Sequence, residues 1–349
     1  CGIDNITLDT TSFNCSNVGT NTVTLTVTDI NGNSASNTAV VTVEDNIDPT
    51  IVAQNITIQL NASGAATITA NDINTGSYDN CSIASMSLSQ TNFDCSHLGT
   101  NTVDITVVDN NGNSSTQSVT VTVVDVINPI AIGQNITLSL DTNGQLILDP
   151  ALIDNGSNDN CSFTLTASPN IFGPSNIGVN NVILVATDAS GNTNYTTVQV
   201  TIIDTVNPVV NTQNININLD NNGLATITAN QVNNGSTDNA QIASMSVAPD
   251  TFTCSELGTN TVTLTITDTS GNTQTGTATV TVSDITVPTI TAPAAVTTTT
   301  NTACTATGVS LGTPVTADNC SVASVTNNAP AAFPLGTTTV TWTVVDGSG

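Results

Sequence analysis

Apolar and polar residues alternate in short segments along the whole chain. In residues 56–60, 102–107 and 119–123, valine, isoleucine or leucine takes every second position, and mostly threonine lies between them. This period of two predicts half-buried antiparallel β-strands. Asn111-Gly112 separates the last two segments and indicates a hairpin turn. No window shows the period of an amphipathic helix, so we expect an all-β chain.

The same pattern returns at a nearly constant interval. An aspartate before a polar turn, a proline and a phenylalanine recur together in successive parts of the chain. Their positions are Asp29, Asp109, Asp188, Asp268 and Asp346; Pro49, Pro129, Pro208 and Pro288; and Phe13, Phe93, Phe172, Phe252 and Phe333. This regularity is typical of tandem domains, and each unit has the length of a small β-sandwich with immunoglobulin-like architecture. We predict an extended string of such repeats with boundaries at 1–45, 46–125, 126–204, 205–284 and 285–349.

The chain contains no lysine or arginine, against 26 acidic residues, and its formal net charge is −26. Proteins hold nucleic-acid phosphates and anionic lipids mainly with lysine and arginine. The composition therefore argues against nucleic-acid binding and electrostatic membrane docking, and it favours small cations as partners. No long apolar run is present, so we expect no direct membrane insertion.

Six of the eight cysteines are predicted to form disulfides within single repeats. The spacing between Cys1 and Cys15 returns between Cys81 and Cys95, and such repeated spacing favours a staple in each thin core. Cys304 takes a different position ahead of Cys320, so the last unit belongs to a second subtype. The predicted pairs are Cys1–Cys15, Cys81–Cys95 and Cys304–Cys320.

The third and fourth repeats have each lost one cysteine of this pattern. Pro174 replaces the partner of Cys161, and Ala240 replaces the partner of Cys254. We expect Cys161 and Cys254 to be unpaired buried thiols. The alternative is a bond between repeats or between molecules. Paired cysteines at a repeating spacing indicate an oxidising, extracellular location on the cell surface.

Acidic residues gather where one repeat ends and the next begins. The first boundary has the most carboxylates, since Glu44, Asp45 and Asp48 precede the recurring Asp79 and Asp109. Calcium takes six to eight oxygen ligands from carboxylates, amides and backbone carbonyls. These five residues are therefore candidate calcium ligands, with weaker candidates at the later boundaries. The alternative is that Asp and Asn cap turns through hydrogen bonds to the backbone.

Catalysis has little support in the sequence. His97 is the single histidine, and the other repeats carry Asn17, Asn176 and Glu256 at its position, so we place it on a surface turn. A serine–histidine–aspartate site needs a positioned imidazole. We expect no enzyme activity and, calcium apart, no cofactor.

The repeated motifs resemble a known family. They run through Asp79-Asn80-Cys81, Phe93, residues 98–103 (Leu-Gly-Thr-Asn-Thr-Val) and residues 109–113 (Asp-Asn-Asn-Gly-Asn). Together they resemble the hyalin repeat (HYR), an immunoglobulin-like domain, in the form found in very large surface proteins of Bacteroidota. The resemblance implies an adhesin exported by type IX secretion, such as the giant gliding-motility adhesin, and implies no catalytic residues.

We therefore expect the stalk region of a secreted cell-surface adhesin or filament, with a surface or glycan ligand bound by regions outside this chain. Two alternatives are a self-assembling filament or spacer and a carbohydrate-binding accessory module of a larger enzyme. Within the string, the partners of each repeat are its neighbours. Thr10 and Thr205 follow an aspartate in a pattern similar to the O-glycosylation acceptor of Bacteroidota.

Overall fold

The computed structural model describes residues 2–348 and is built almost entirely of strands. It confirms the predicted all-β fold of repeated sandwich-like sheets. The chain divides into two compact units. The first comprises Cys1–Gln134, Asp149–Ser168 and Val182–Val198, and the second comprises Asn135–Leu148, Pro169–Asn181 and Gln199–Gly349. The boundaries of the five repeats remain a prediction from the sequence.

The strands are listed here by predicted repeat. The first repeat contains β1 (Ile3–Leu8), β2 (Gly19–Asp29) and β3 (Ser34–Val43). The second contains β4 (Ile56–Gln59), β5 (Ala65–Thr67), β6 (Ile83–Leu88), β7 (Asn92–Asp94), β8 (Gly99–Asp109) and β9 (Ser114–Val124). The third contains β10 (Ile136–Ser139), β11 (Leu146–Ile147), β12 (Phe163–Ser168), β13 (Ile171–Phe172), β14 (Gly178–Asp188) and β15 (Thr193–Ile203). The fourth contains β16 (Ile215–Asn218), β17 (Leu224–Thr226), β18 (Ile242–Ala248), β19 (Thr251–Thr253), β20 (Gly258–Asp268) and β21 (Thr273–Ser283). The last contains β22 (Thr289–Thr291), β23 (Thr305–Thr307), β24 (Val315–Ala317), β25 (Val322–Asn327), β26 (Ala332–Pro334) and β27 (Trp342–Asp346).

In the first unit, the second repeat displays the complete arrangement. Its four-stranded sheet has the order β4-β9-β8-β6, and its two-stranded sheet pairs β5 with β7. The hairpin predicted at Asn111-Gly112 joins β8 to β9 in antiparallel register. Strand β4, however, pairs with β9 in parallel, against the antiparallel prediction. A parallel partner is possible because four further strands lie between β4 and β9 in the chain, which gives ample length for the crossover.

One core lies between the two sheets of this repeat. Alternate residues of β8 and β9, such as Val103 and Val121, are completely buried. They form one cluster with Phe93 of β7 and with Ile73 of the α1 helix (Ala70–Ile73). Phe93, the recurring phenylalanine of this repeat, therefore fills the core, as the sequence predicts.

The second unit repeats this arrangement in the fourth repeat. The larger sheet has the order β16-β21-β20-β18, and β17 pairs with β19. Phe252 is buried against Val262, Leu264 and Val280, and the helix α2 (Ala229–Val232) closes the same core through Val232. In the last repeat, the described strands form three antiparallel pairs, β22 with β24, β23 with β26 and β25 with β27.

The helices within residues 2–348 are single short turns, and none is long and apolar enough to cross a membrane.

Candidate functional site at the junctions between repeats

Three disulfides connect one repeat to the next. The bonded pairs are Cys15–Cys81, Cys95–Cys161 and Cys254–Cys320, and each has a sequence separation of 66. The predicted pairing within repeats is therefore wrong for Cys15, Cys81, Cys95 and Cys320. It is also wrong for Cys304, which is an exposed free thiol. Cys161 and Cys254 are not unpaired, and the alternative of a bond between repeats is the one that holds. Cys1 lies outside the described residues.

The wrong pairing of the cysteines follows from the periodicity of the chain. Cys81 could pair forward with Cys95 of its own repeat or back with Cys15 of the preceding one, and both spacings recur along a periodic chain. The two lost cysteines distinguish these possibilities. Pro174 and Ala240, which replace them, have a sequence separation of 66, the same as the two cysteines of each bonded pair. One absent bond between repeats explains both losses, whereas pairing within repeats leaves two orphan thiols. In the chain-entropy model, each such closure stabilises the fold by roughly 4 kcal/mol.

Local structure holds each cysteine in place. Cys95 begins the 3-10 helix Cys95–His97, and the side chain of Asp94 caps this turn by accepting from the Ser96 N–H. On the other repeat, the N–H of Cys161 donates to Asp159 Oδ2 over 3.0 Å. The Asp-Asn-Cys motif is thus a side-chain-stabilised turn that presents its cysteine to the preceding repeat.

Beside each connection, three aspartates bring a carboxylate oxygen within 4.8 Å of one another. We name these sites the first to fourth junctions. Their aspartates are Asp45, Asp79 and Asp109; Asp125, Asp159 and Asp188; Asp204, Asp238 and Asp268; and Asp284, Asp318 and Asp346. The first two junctions lie within the first unit and the last two lie within the second.

The second junction shows how these side chains are oriented. Asp125 follows the end of β9, is 5% exposed, and accepts from Asn160 Nδ2 at Oδ1 over 3.1 Å. The same amide group donates to the carbonyl oxygen of Asn61 in the preceding repeat over 3.3 Å. Asn192 Nδ2 donates to the Asp125 carbonyl oxygen over 3.1 Å. One asparagine, Asn160, therefore connects the linker to both repeats.

The third aspartate of each junction is held by its own hairpin turn. Asp109 Oδ1 accepts from the N–H groups of Asn111 and Asn113, and Oδ2 accepts from Asn113 Nδ2 over 2.7 Å. Burial opposes ionisation of this carboxyl, but the Asn113 amide and the two backbone N–H groups outweigh it and lower the pKa of Asp109. The predicted turn-capping role is thus confirmed here, and it exists alongside the carboxylate cluster.

Several oxygens at the second, third and fourth junctions have no hydrogen-bond donor although they are buried. At the second junction these are Asp125 Oδ2, Asp159 Oδ1 and Asn160 Oδ1, and the same three positions recur at the third and fourth junctions. Leaving such acceptors without a partner costs about 1–3 kcal/mol each, and more when they are charged. Two carboxylates whose oxygens lie within 4.8 Å of each other also repel by roughly 3 kcal/mol at an effective dielectric constant of about 20. Because the chain has no lysine or arginine, this donor set of carboxylate and amide oxygens fits a hard divalent cation from solution.

The first junction differs from the other three. Asp45 Oδ2 accepts from Asn111 Nδ2 over 2.7 Å, and Asp79 Oδ1 is the one cluster oxygen there that is buried without a donor among the described residues. The structure brings Asp45, Asp79 and Asp109 together as predicted, but Glu44 and Asp48 are exposed and lie outside the cluster. Counting carboxylates in the sequence favoured this junction, whereas the buried unpartnered oxygens favour the later ones.

The other predicted site residues lie apart from the clusters. His97 Nδ1 is 2.8 Å from Asp94 Oδ1 within its own 3-10 turn, and its ring meets the edge of Phe93. Thr205 is exposed and follows the buried Asp204, whereas Thr10 is half-buried. Glycosylation of these two threonines stays a prediction.

Comparisons with known proteins find a partial sequence relative, and no family model matches the chain. An "Uncharacterized 81.3 kDa protein" of Acholeplasma phage L2 is 30% identical over 204 residues. The match covers 56% of this chain and 28% of that protein, so the chain spans little more than a quarter of the relative's length. The hyalin-repeat and Bacteroidota assignments therefore stay hypotheses.

The chain also matches solved structures of extracellular cadherin domains, at low sequence identity and low TM-score. Protocadherin Gamma B7 extracellular cadherin domains 1–4 match with 13% identity and a TM-score of 0.28, over 76% of this chain and 84% of that one. The Protocadherin GammaB4 extracellular domain matches with 14% identity and a TM-score of 0.27, over 89% and 62%. Mouse Cadherin-23 EC22-24 matches with 15% identity and a TM-score of 0.26, over 68% and 99%.

Proposed function

We propose that this chain is the repetitive stalk of an extracellular adhesin or filament, with a structural rather than a catalytic role. The observation that carries the proposal is the repeated junction, where each linker is accompanied by an aspartate cluster and, at three of four junctions, by a disulfide. Such connections serve to fix one repeat on the next. The disulfides also fit an oxidising location outside the cytoplasm. The resemblance to Bacteroidota surface proteins makes a gliding adhesin the most specific form of this proposal.

We further propose that calcium binds at the junctions and stiffens them. The supporting observation is that Asp125 and Asp204, which are 5% and 6% exposed, each keep one carboxylate oxygen without a donor. At the second junction, Asp125, Asp159, Asn160 and Asp188 would hold the ion. Calcium supplies charge neutralisation there, and its flexible coordination accepts the mixture of carboxylate and amide oxygens.

Calorimetric titration with calcium chloride tests this directly. We expect the chelator-treated protein to bind calcium. A free calcium concentration of about 100 times the dissociation constant stabilises a fold by about 2.7 kcal/mol. Asp159→Asn should remove the binding event of the second junction and reduce the calcium-dependent rise in melting temperature. Asp250→Asn is the matched control, because Asp250 is an exposed aspartate outside every cluster and its loss should change neither quantity. A wild-type protein that gives no binding heat and no stabilisation would refute the calcium proposal.

A stalk also has to be long. A globular chain of 349 residues has a radius of gyration of about 20 Å. We expect small-angle X-ray scattering to give a clearly larger value for the protein in calcium, whereas a value near that of a globule would contradict the stalk function and leave the calcium proposal standing.

The alternative of a self-assembling filament or spacer stays a prediction. Cys161 and Cys254 were its candidate crosslinks between molecules, and both are bonded within the chain. The carbohydrate-binding alternative stays a prediction.

A further inference from the structure

The disulfides determine which parts of the chain can be pulled out by tension. Between their bonded cysteines they close off residues 16–80, 96–160 and 255–319. A force applied at the two chain ends passes through the sulfur–sulfur bonds and leaves these loops without load. Between the first and last bonds, the loaded path consists of two segments only. They run from Cys81 to Cys95 and from Cys161 to Cys254, and the second is much the longer.

The long loaded segment exists because the third junction lacks its disulfide. Pro174 begins the 3-10 helix Pro174–Asn176, just as Cys95 and Cys254 begin the corresponding turns. The Ala240 N–H donates to Asp238 Oδ2 over 2.9 Å, which matches the bond from Cys161 to Asp159. Pro174 and Ala240 therefore occupy the two positions that carry bonded cysteines elsewhere.

A glycine contact confirms that these positions are equivalent. A Cβ on Gly223 would lie 2.7 Å from Cys254 Sγ and 2.8 Å from the carbonyl oxygen of Asn319. A Cβ on Gly144 would lie 3.5 Å from Pro174 Cγ and within collision distance of the Asn239 carbonyl oxygen. The proline ring thus occupies the place of the sulfur atom.

Contacts without a covalent bond hold the third junction. Asn239 Nδ2 donates to the Asp141 carbonyl oxygen over 3.0 Å and to Asp204 Oδ1 over 3.1 Å. Asn272 Nδ2 donates to the Asp204 carbonyl oxygen over 3.2 Å. The carboxylates of Asp204, Asp238 and Asp268 meet beside these hydrogen bonds. None of these interactions is covalent, so the two repeats can separate at this junction without breaking a covalent bond.

We propose a further, mechanical function: residues 161–254 form a force-extensible segment within an otherwise covalently limited stalk. Under pull, this segment unfolds and lengthens while the three disulfide-closed loops cannot be extended. A tethered adhesin would thereby lengthen mainly in this segment, while its three disulfides stay unbroken. The biological use rests on the proposed stalk function, whereas the covalent path does not depend on it.

Single-molecule force spectroscopy on the full chain, held at its two ends, tests the proposal. The comparison is between the wild type and the double variant Pro174→Cys/Ala240→Cys, both oxidised. The new bond would close a loop with the same sequence separation of 66 as the existing ones. At roughly 3.3–3.6 Å per residue, such a loop corresponds to about 220–240 Å of chain. We expect the total gain in contour length to fall by that amount in the variant, and reduction of the wild type to add about the same length for each of its three disulfides.

Controls make each outcome decisive. Pro174→Ser/Ala240→Ser changes the same positions without a crosslink and should extend like the wild type. Thiol counting and peptide mass spectrometry should find the new bond in the cysteine variant, and its failure to form would contradict the equivalence of positions 174 and 240. Equal contour gains in the oxidised wild type and the crosslinked variant would overturn the extensible segment, while calcium titration and scattering would still report separately on the stalk.

Discussion

At the disulfide-bonded second and fourth junctions, a glycine lies against the backbone of the next repeat. Gly223 has φ of +73°, a left-handed conformation that favours glycine, and it faces the carbonyl oxygen of Asn319. Gly64 has φ of +70° and faces the carbonyl oxygen of Asn160 in the same way. This close approach allows the Asn319 amide to reach the carbonyl oxygen of Asp220 over 3.0 Å. The glycine is therefore required twice, for the turn and for the contact.

Two glycines of the fourth repeat allow the cost of the left-handed turn and the cost of the contact to be measured separately. Gly235 has φ of +74°, almost the value of Gly223, but a Cβ there would meet open space. We expect Gly235→Ala to cost about 1–2 kcal/mol through left-handed strain alone. Gly223→Ala should cost about 1–3 kcal/mol more, because the added methyl group collides with Cys254 and Asn319. Thermal unfolding of both variants measures the difference, and equal losses would show that the glycine contact between repeats is not a close one.

At the scale of elements, 3-10 turns hold the bonded cysteines with side-chain caps. In the turn Cys254–Glu256, the Thr253 N–H and hydroxyl both donate to Glu256 Oε2, each over 2.7 Å. The Ser255 hydroxyl donates to Glu256 Oε1 over 2.6 Å. The Ser255 and Thr253 hydroxyls and the Thr253 N–H lower the pKa of Glu256 to about 2.

This cap predicts a local dependence on pH. Since the folded pKa of Glu256 is about 2 and its ordinary value is 4.5, the cap contributes stability above the ordinary value. That contribution should fall as pH drops from 4.5 toward about 2. Carbon-13 NMR can follow the carboxyl, because the chain has only one other glutamate, Glu44. In Glu256→Gln the amide oxygen can accept the two bonds from Thr253 without titrating, so the local pH dependence should vanish. A Glu256 midpoint at the ordinary value would contradict the cap.

Strands were more predictable than their partners. The alternation in residues 102–107 and 119–123 and the Asn111-Gly112 turn define β8 and β9 locally, because a hairpin needs no distant contact. The parallel pairing of β4 with β9 depends on a crossover, for which the alternation carries no signal. The acidic cluster was predictable in part. Recurring aspartates at strand ends indicate it, but Glu44 and Asp48 lie outside it, because the folded arrangement of the strands decides which carboxylates meet.

At the scale of the whole molecule, the periodicity both reveals the repeats and hides their connections. Two cysteines per repeat are compatible with a bond inside the repeat or with a bond to the next one, and the interval is regular in either case. The choice has a mechanical consequence. Bonds within repeats would staple separate sandwiches, whereas the observed bonds make neighbouring sandwiches share one covalent path. The paired loss at Pro174 and Ala240 is the sequence signal that distinguishes the two arrangements.

Peptide mapping of the unreduced protein tests the linkage between repeats most directly. Trypsin is unsuitable for a chain without lysine or arginine, but cleavage before aspartate separates Cys81 from Cys95 at Asp94, and Cys304 from Cys320 at Asp318. We expect mass spectrometry to find Cys15 linked to Cys81, Cys95 to Cys161 and Cys254 to Cys320, with Cys304 as a free thiol. A peptide that joins Cys81 to Cys95, or Cys304 to Cys320, would contradict the junctions on which the stalk and its extensible segment depend.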